Sequence, residues 1–153
     1  MHIAISGASG FVGQTLVREL SDRGIGLILL GRDKTRLKSL FPQSEIATYD
    51  QLPEALEGVD LFLNLAVVNN DRDADIDQMT CINADFAAEL ATFSKAAGVK
   101  RFVNVSSIHA LDPHDARPYA VSKRAGIAAI DAILGETCTH VYLPAMIGDS
   151  FAG

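Results

Sequence analysis

The first 22 residues combine a short apolar run, three evenly spaced glycines and a helical pattern. Residues 3–5 predict a buried strand, and residues 12–22 carry apolar side chains at the spacing of one helix face. Between them lies Gly-Ala-Ser-Gly-Phe-Val-Gly at 7–13. This order brings backbone N–H groups and a helix N-terminus together, which is typical of a site for a pyrophosphate. The segment therefore predicts a parallel α/β fold with a dinucleotide at its first turn.

Each glycine has a separate expected role. Gly7 permits the tight turn, Gly10 leaves room for a phosphate, and Gly13 lets the helix pack close to the strand. The simpler interpretation is a glycine-rich strand–helix turn that holds no ligand, but the position and the flanking patterns favour cofactor binding. The other cofactor-binding candidates in this loop are Ser9, Phe11 and Val12.

Strand and helix patterns alternate along the rest of the chain. Further strands are predicted at 26–30, 46–49, 60–66, 101–105 and 139–143. Further helices are predicted at 33–40, 51–57, 77–97 and 118–133. Because the strands are continuously apolar, both faces of the sheet are expected to be covered, and the alternation predicts parallel strands with right-handed crossovers. The prediction is one α/β domain over 1–153, a doubly wound parallel sheet of the Rossmann type.

Composition narrows the classes of partner. The net charge is −6, and no basic cluster occurs beyond 32–38, which argues against nucleic acid as a partner. No apolar run is long enough to span a membrane and no signal-peptide pattern is present, so we expect a cytoplasmic protein.

No metal site is predicted. Cys81 and Cys138 form no metal or disulfide pattern, which suits a reducing compartment, and the four histidines lack ligand spacing. The acidic stretch 69–77 lacks the glycine and distal glutamate of a calcium loop, so a solvated loop is expected there.

The end of the second predicted strand bears on which dinucleotide fits. It reads Leu30-Gly31-Arg32-Asp33, with glycine where an acid would bind the adenosine 2′-OH of NAD. The Arg32 guanidinium can pair with the 2′-phosphate of NADP, so NADP is favoured. NAD remains the alternative, because a shift of one residue would place the Asp33 carboxylate on the ribose.

A tyrosine and a lysine lie one helical turn apart in Tyr119-Ala-Val-Ser-Lys123. A nearby ammonium stabilises a phenolate and lowers the pKa of the tyrosine, which can then act as a general acid or base. A hydroxyl at the end of the preceding strand, from Ser106 or Ser107, would lie at the edge of the sheet where ligands bind. The alternatives are a surface helix pair and two loop serines.

The ordered motifs resemble the extended short-chain dehydrogenases/reductases, within them the NAD-dependent epimerase/dehydratase family. The resemblance covers nearly the whole chain. Its pieces are the 7–13 loop, Leu-Asn-Leu-Ala at 63–66, Asn83, Gly-Val-Lys-Arg-Phe-Val-Asn-Val-Ser-Ser at 98–107, Tyr-Ala-Val-Ser-Lys at 119–123 and Leu-Pro-Ala at 143–145.

The resemblance implies a catalytic triad of Ser107, Tyr119 and Lys123. Ser107 matches better than Ser106 when counted from residues 110–112, which stand where the family has Val-Tyr-Gly. Asn83 matches a helix asparagine that supports a bound water and a proton relay. The remaining implied cofactor contacts are Ala66 and Pro144 at the nicotinamide end and Asp50 at the adenine.

The resemblance also implies a function and a partner. It implies an epimerase/dehydratase-type oxidoreductase acting on a nucleotide sugar, and a homodimer through helices 77–97 and 118–133. Family members continue into a substrate-binding domain, so this chain is expected to bind cofactor with little turnover alone. Two alternatives stay open: an NADP-dependent carbonyl reductase of the same superfamily, which Arg32 favours, and a non-catalytic dinucleotide-binding module.

Overall fold

A computed structural model describes residues 1–68 and 76–146 and contains one parallel sheet. Its strands are β1 (His2–Ser6), β2 (Gly26–Leu30), β3 (Glu45–Ala47), β4 (Leu61–Asn64), β5 (Arg101–Ser107) and β6 (Cys138–Leu143). The order is β3-β2-β1-β4-β5-β6, and every neighbouring pair is parallel. The strand order reverses between β1 and β4, which opens a crevice at their carboxyl ends. The predicted Rossmann-type sheet is confirmed.

Helices connect the strands. They are α1 (Phe11–Asp22), α2 (Lys34–Leu40), α3 (Leu52–Ala55), α4 (Ile76–Thr80), α5 (Ala87–Ala96) and α6 (Pro118–Leu134). Three 3-10 turns lie at Tyr49–Gln51, Ile108–Leu111 and Gly135–Thr137. Among the described residues, no helix combines the length and hydropathy needed to cross a membrane.

The core forms two clusters. One contains the stacked rings of Phe62 and Phe102, whose centroids lie 5.1 Å apart, together with Leu90 of α5 and Ile130 of α6. The other packs strand residues such as Ile5 against α1 and α2. Alternate strand residues therefore enter different clusters, as expected for a sheet covered on both faces.

The predicted helix 77–97 is interrupted by a π-helical turn at Cys81–Phe86. A Cβ on Gly126 of α6 would lie 2.0 Å from the main-chain oxygen of Asn83 in that turn. The glycine therefore permits a close approach between the two helices, and π-helical turns are frequent near functional sites. The predicted loop at 69–77 lies almost entirely outside the described residues.

The predicted strand 60–66 ends earlier, because Asn64 bends the chain. Its Oδ1 accepts hydrogen bonds from the Ser6 hydroxyl at 2.7 Å and from the Ala66 N–H at 3.2 Å. Its Nδ2 donates to Oδ1 of Asn104 on β5 at 3.0 Å. Since a backbone N–H can only donate, Ala66 fixes which side of the Asn64 amide faces each neighbour.

Candidate active site

A cavity of about 730 Å³ opens at the carboxyl ends of the strands. Its walls come from the 7–13 loop, the ends of β2, β4, β5 and β6, and the first turns of α6. This is where ligands bind in open α/β sheets. Nearly all the predicted site residues line it, namely Gly7, Ser9, Gly10, Phe11, Val12, Gly13, Arg32, Ala66, Ser107, Tyr119, Lys123 and Pro144.

The glycine loop has the geometry that a pyrophosphate requires. Gly7 has a φ of +74°, and a Cβ there would lie 2.5 Å from the carbonyl carbon of Leu65. A Cβ on Gly13 would lie 2.4 Å from the Gly7 oxygen, so only glycine allows α1 to pack this closely. A Cβ on Gly10 would meet only that oxygen, at 3.3 Å. Gly10 therefore leaves space on the cavity side, and the loop fits a dinucleotide.

The end of β2 places Arg32, but not Asp33, in the cavity wall. Oδ1 of Asp33 instead accepts the N–H of Arg36 at 2.8 Å and caps α2. A Cβ on Gly31 would lie 2.6 Å from the Leu37 side chain, so an acidic residue does not fit there without movement of that side chain. Of the residues that the structure describes, no aspartate or glutamate lines the cavity. This end of the cavity suits an anion.

Tyr49 lines the cavity, whereas Asp50 is exposed and lies outside its lining. The Tyr49 hydroxyl donates to the Leu30 carbonyl at 3.4 Å and accepts from the Gly7 N–H, and burial raises the pKa of the tyrosine. Its ring also meets Phe86 edge-on at 4.7 Å. The adenine contact expected of Asp50 therefore has no support from its placement. The signal available in the sequence for Tyr49 was an aromatic residue at the end of the predicted strand 46–49.

The strand-end serines differ in their partners. The Ser107 side chain lies beside Tyr119 in the cavity lining and acts to lower the pKa of the phenol. The Ser106 hydroxyl is buried and has no hydrogen-bond partner among the described residues. Of the two serines, Ser107 is therefore the one that acts on Tyr119, and its place in a catalytic triad stays a prediction.

The structure departs from the expectation for the pKa of Tyr119. Burial raises this pKa above its usual value of 10.0, the Ser107 hydrogen bond opposes the rise, and Lys123 makes no contribution. Nζ of Lys123 donates to the Val105 carbonyl at 3.2 Å, and burial lowers the pKa of the lysine to about 8. In the cofactor-free protein the tyrosine is therefore held as the neutral phenol.

Asn83 lies behind the cavity and fixes the segment after β4. Its Oδ1 accepts the N–H of Val68 at 3.0 Å, and its Nδ2 donates to the Val68 carbonyl and to the Ser122 hydroxyl, each at 3.1 Å. Both amide protons are therefore engaged. The proton relay stays a prediction, and the side chain acts here as a clamp between this segment and α6.

A second polar cluster lies away from the cavity. Asp131, Cys138 and His140 place ligand-type atoms within 4.8 Å of one another. Nδ2 of Asn104 lies 3.1 Å from Nδ1 of His140. Nε2 of the same histidine lies 2.8 Å from Oδ1 of Asp131. Because the Asn104 amide donates to Nδ1, the proton resides on Nε2, which leaves no lone pair there for a metal. Burial and Asp131 raise the pKa of the Cys138 thiol to about 11, which also disfavours metal binding.

Comparison with known proteins identifies the class. Residues 7–133 match the NAD(P)H-binding family, and the chain belongs to this family. It is 35% identical over 136 residues to a ceramide reductase of Caulobacter vibrioides, a match that covers 85% of this chain and 42% of the relative. The chain thus spans less than half the length of that curated relative.

Solved structures confirm the fold. A Bacillus halodurans protein assigned to the NAD-dependent epimerases/dehydratases matches with a TM-score of 0.81 and 21% identity, covering 100% of this chain and 74% of that one. The UDP-glucuronic acid 4-epimerase of Bacillus cereus in complex with NAD matches with a TM-score of 0.78 and 17% identity, covering 94% and 56%. The cofactor is therefore NAD or NADP, and the resemblance inferred from the motifs is confirmed at the level of family and fold.

Proposed function

We propose that this chain is the cofactor-binding part of an oxidoreductase that interconverts a carbonyl and an alcohol. The observation that carries the proposal is the grouping of Ser107, Tyr119 and buried Lys123 in the lining of the cavity that holds the glycine loop. A bound nicotinamide would supply the hydride. In this arrangement the loop would bind the pyrophosphate and Lys123 would bind the nicotinamide ribose.

Tyr119 would move the proton that accompanies hydride transfer. With its pKa raised, the phenol stays protonated near neutral pH and can donate to a carbonyl oxygen as the carbon accepts hydride. Ser107 would orient that oxygen. The reverse direction needs a phenolate, which the Ser107 hydrogen bond stabilises only in part. The cofactor-free geometry therefore suits reduction.

The charge distribution supports NADP as the preferred cofactor. The charged residues of the cavity lining are Arg32, Arg117 and Lys123, although the whole chain carries −6. The 2′-phosphate would face Arg32, whose carboxylate neighbour is turned to the cap of α2. None of the described residues that line the cavity carries a carboxylate, which is the group that would bind the 2′-OH of NAD.

Two substrate classes have separate support. A ketone with an apolar part is favoured by the ceramide reductase relative and by Val67 and Met146, which line the cavity and are 38% and 37% exposed. A nucleotide sugar is favoured by the epimerase neighbour. The chain is 35% identical to the ceramide reductase and 17% identical to the epimerase, so we place the ketone first.

Transfer of deuterium from NADPH labelled at nicotinamide C4 tests the proposal when it is measured in a protein that carries a substrate-binding part as well as this chain. Mass spectrometry of the alcohol formed from a long-chain ketone would identify the first class, whereas conversion of UDP-glucose or UDP-glucuronate in the presence of NAD would identify the second. Tyr119→Phe should reduce the transfer by roughly 10²–10⁴-fold while leaving cofactor affinity unchanged. In that protein, cofactor binding without transfer to any of these compounds would favour a non-catalytic module.

A homodimer through α4, α5 and α6 remains part of the proposal. Ala87, Ala91 and Ala120 are buried within the subunit, which accounts for part of the small-residue pattern. Ala125 and Ala128 lie exposed on α6 and would form the contact. Light scattering should show twice the monomer mass, and Ala125→Glu should convert it to the monomer. A wild-type monomer at high concentration would refute this arrangement.

A further inference from the structure

The loop between β5 and α6 is held by a chain of charged groups. Arg124 of α6 donates to the carbonyl oxygens of Asp112 and Asp115, each at 2.7 Å. The Asp115 side chain is only 8% exposed, and it receives the backbone N–H of Arg117 at 3.0 Å and the Arg117 Nε at 2.9 Å. These contacts hold the pKa of the Asp115 carboxyl well below its usual range. The carboxylate therefore fixes the Arg117 guanidinium.

The fixed guanidinium determines the proton position on His109. Nη2 of Arg117 lies 2.9 Å from Nδ1 of His109. A guanidinium has only donors, so Nδ1 accepts and the ring proton of the neutral imidazole is on Nε2. Within 1–68 and 76–146, no hydrogen-bond partner is seen for Nε2. His109 is thereby prepared as a hydrogen-bond donor.

His109 also belongs to the proposed catalytic surroundings. It lines the cavity, and its ring meets the Tyr119 ring edge-on with centroids 6.4 Å apart. Its backbone N–H donates to the Ser107 hydroxyl oxygen at 3.3 Å, which leaves the hydroxyl proton for Tyr119. The imidazole therefore lies beside Ser107 and Tyr119, the two residues that would bind the reacting oxygen, and is not itself one of them.

We propose that His109 is a substrate-binding residue that donates its Nε2–H to a second oxygen of the substrate. This inference rests on the proposed function and specifies its substrate further: the carbon that bears the reacting oxygen has a neighbouring hydroxyl or carbonyl. Tyr119 and Ser107 already contact the first oxygen, and the His109 ring, whose centroid lies 6.4 Å from that of the Tyr119 ring, is close enough to contact an oxygen on the neighbouring carbon. An α-hydroxyketone is the simplest compound with this pattern.

Nitrogen-15 NMR of the imidazoles in the cofactor-free chain tests the preparation of the donor. His109 should show the Nε2–H tautomer almost exclusively, and Arg117→Met should let the Nδ1–H tautomer appear beside it. His114, an exposed histidine outside the cavity lining, should be unaffected and serves as the internal control. An Nδ1–H tautomer at His109, or a tautomer that does not depend on Arg117, would overturn the inference.

Binding of 2-hydroxycyclohexanone and cyclohexanone to the NADP⁺-loaded chain tests the contact itself. An oxidised cofactor cannot reduce either ketone, and the absence of NADPH absorbance verifies that the hydroxyl group of the hydroxyketone is not oxidised during the measurement. The hydroxyketone should shift the His109 Nε2–H resonance and bind about 2- to 10-fold more tightly than cyclohexanone. His109→Phe should remove this difference, His109→Gln should retain it, and His114→Phe should leave it unchanged.

The outcomes separate the two claims. Equal affinity for both ketones in the wild type, absence of ketone binding, or an unchanged preference in His109→Phe would overturn the inference while cofactor binding stands. Absence of NADP⁺ binding would contradict the proposed function instead, and the tautomer measurement would still decide whether His109 is prepared as a donor. Thermal unfolding of each variant identifies a folding defect, and rescue by His109→Gln distinguishes a lost donor from altered packing.

Discussion

Replacement of Arg32 by alanine should change which cofactor the chain prefers. Arg32 lines the cavity at the end of β2, while the carboxylate of Asp33 is occupied by the cap of α2. A hydrogen bond to a charged group contributes about 1.5–3 kcal/mol. Because Arg32 is exposed, solvent screening places the expected loss near the lower value, which is about tenfold in affinity.

Isothermal titration calorimetry of NADP⁺ and NAD⁺ gives the measurement. Arg32→Ala should weaken NADP⁺ about tenfold and NAD⁺ less than about twofold, with the NADP⁺ effect shrinking at high salt. Arg36→Ala removes an exposed arginine of α2 that lies outside the cavity lining and should change neither affinity. Equal losses for both cofactors in Arg32→Ala, or a wild-type preference for NAD⁺, would refute the reasoning. A selective loss of NAD⁺ affinity in Asp33→Asn would restore the alternative.

Three further variants separate folding from binding. Lys123→Met should raise the unfolding free energy of the cofactor-free protein at pH 7 by up to about 3 kcal/mol, because the pKa of about 8 lies well below 10.5. With the folded pKa depressed, the unfolded chain binds more protons, so wild-type stability should rise between about pH 8 and 10.5, and urea titrations should show no such rise in the variant. Gly10→Val should abolish NADP⁺ binding in calorimetry with little change in melting temperature. Gly13→Ala should lower the melting temperature, because its Cβ would lie 2.4 Å from the main-chain oxygen of Gly7. Unaltered NADP⁺ affinity in Gly10→Val would exclude the loop as the phosphate site.

The sheet and the glycine loop could be predicted because their signals are local. Continuous apolar runs specify strands covered on both faces, and the spacing of Gly7, Gly10 and Gly13 matches what one turn requires. The end of β4 could not be predicted, since it depends on Asn64 turning to the Ala66 N–H. The apolar residues of the sequence continue past Asn64 to residues 65 and 66, although the hydrogen bonds of Asn64 end the strand there.

The parts of the candidate site that escaped prediction depend on contacts between distant segments. The π-helical turn at 81–86 faces Gly126 across a helix interface, and a single sequence does not show which helices meet. His109 looks like an ordinary loop histidine until Arg117 and Asp115 are seen beside it. The pKa of Tyr119 follows from burial, which depends on the whole cavity rather than on the spacing to Lys123.

The position of the nicotinamide in a crystal structure of the chain with NADP⁺ tests the central claim most directly. The proposal predicts the pyrophosphate against the 7–13 loop, the 2′-phosphate at Arg32, and the nicotinamide C4 facing Tyr119 with space for one substrate carbonyl between them. A nicotinamide at the Arg32 end, or a cofactor bound outside this cavity, would contradict the proposal.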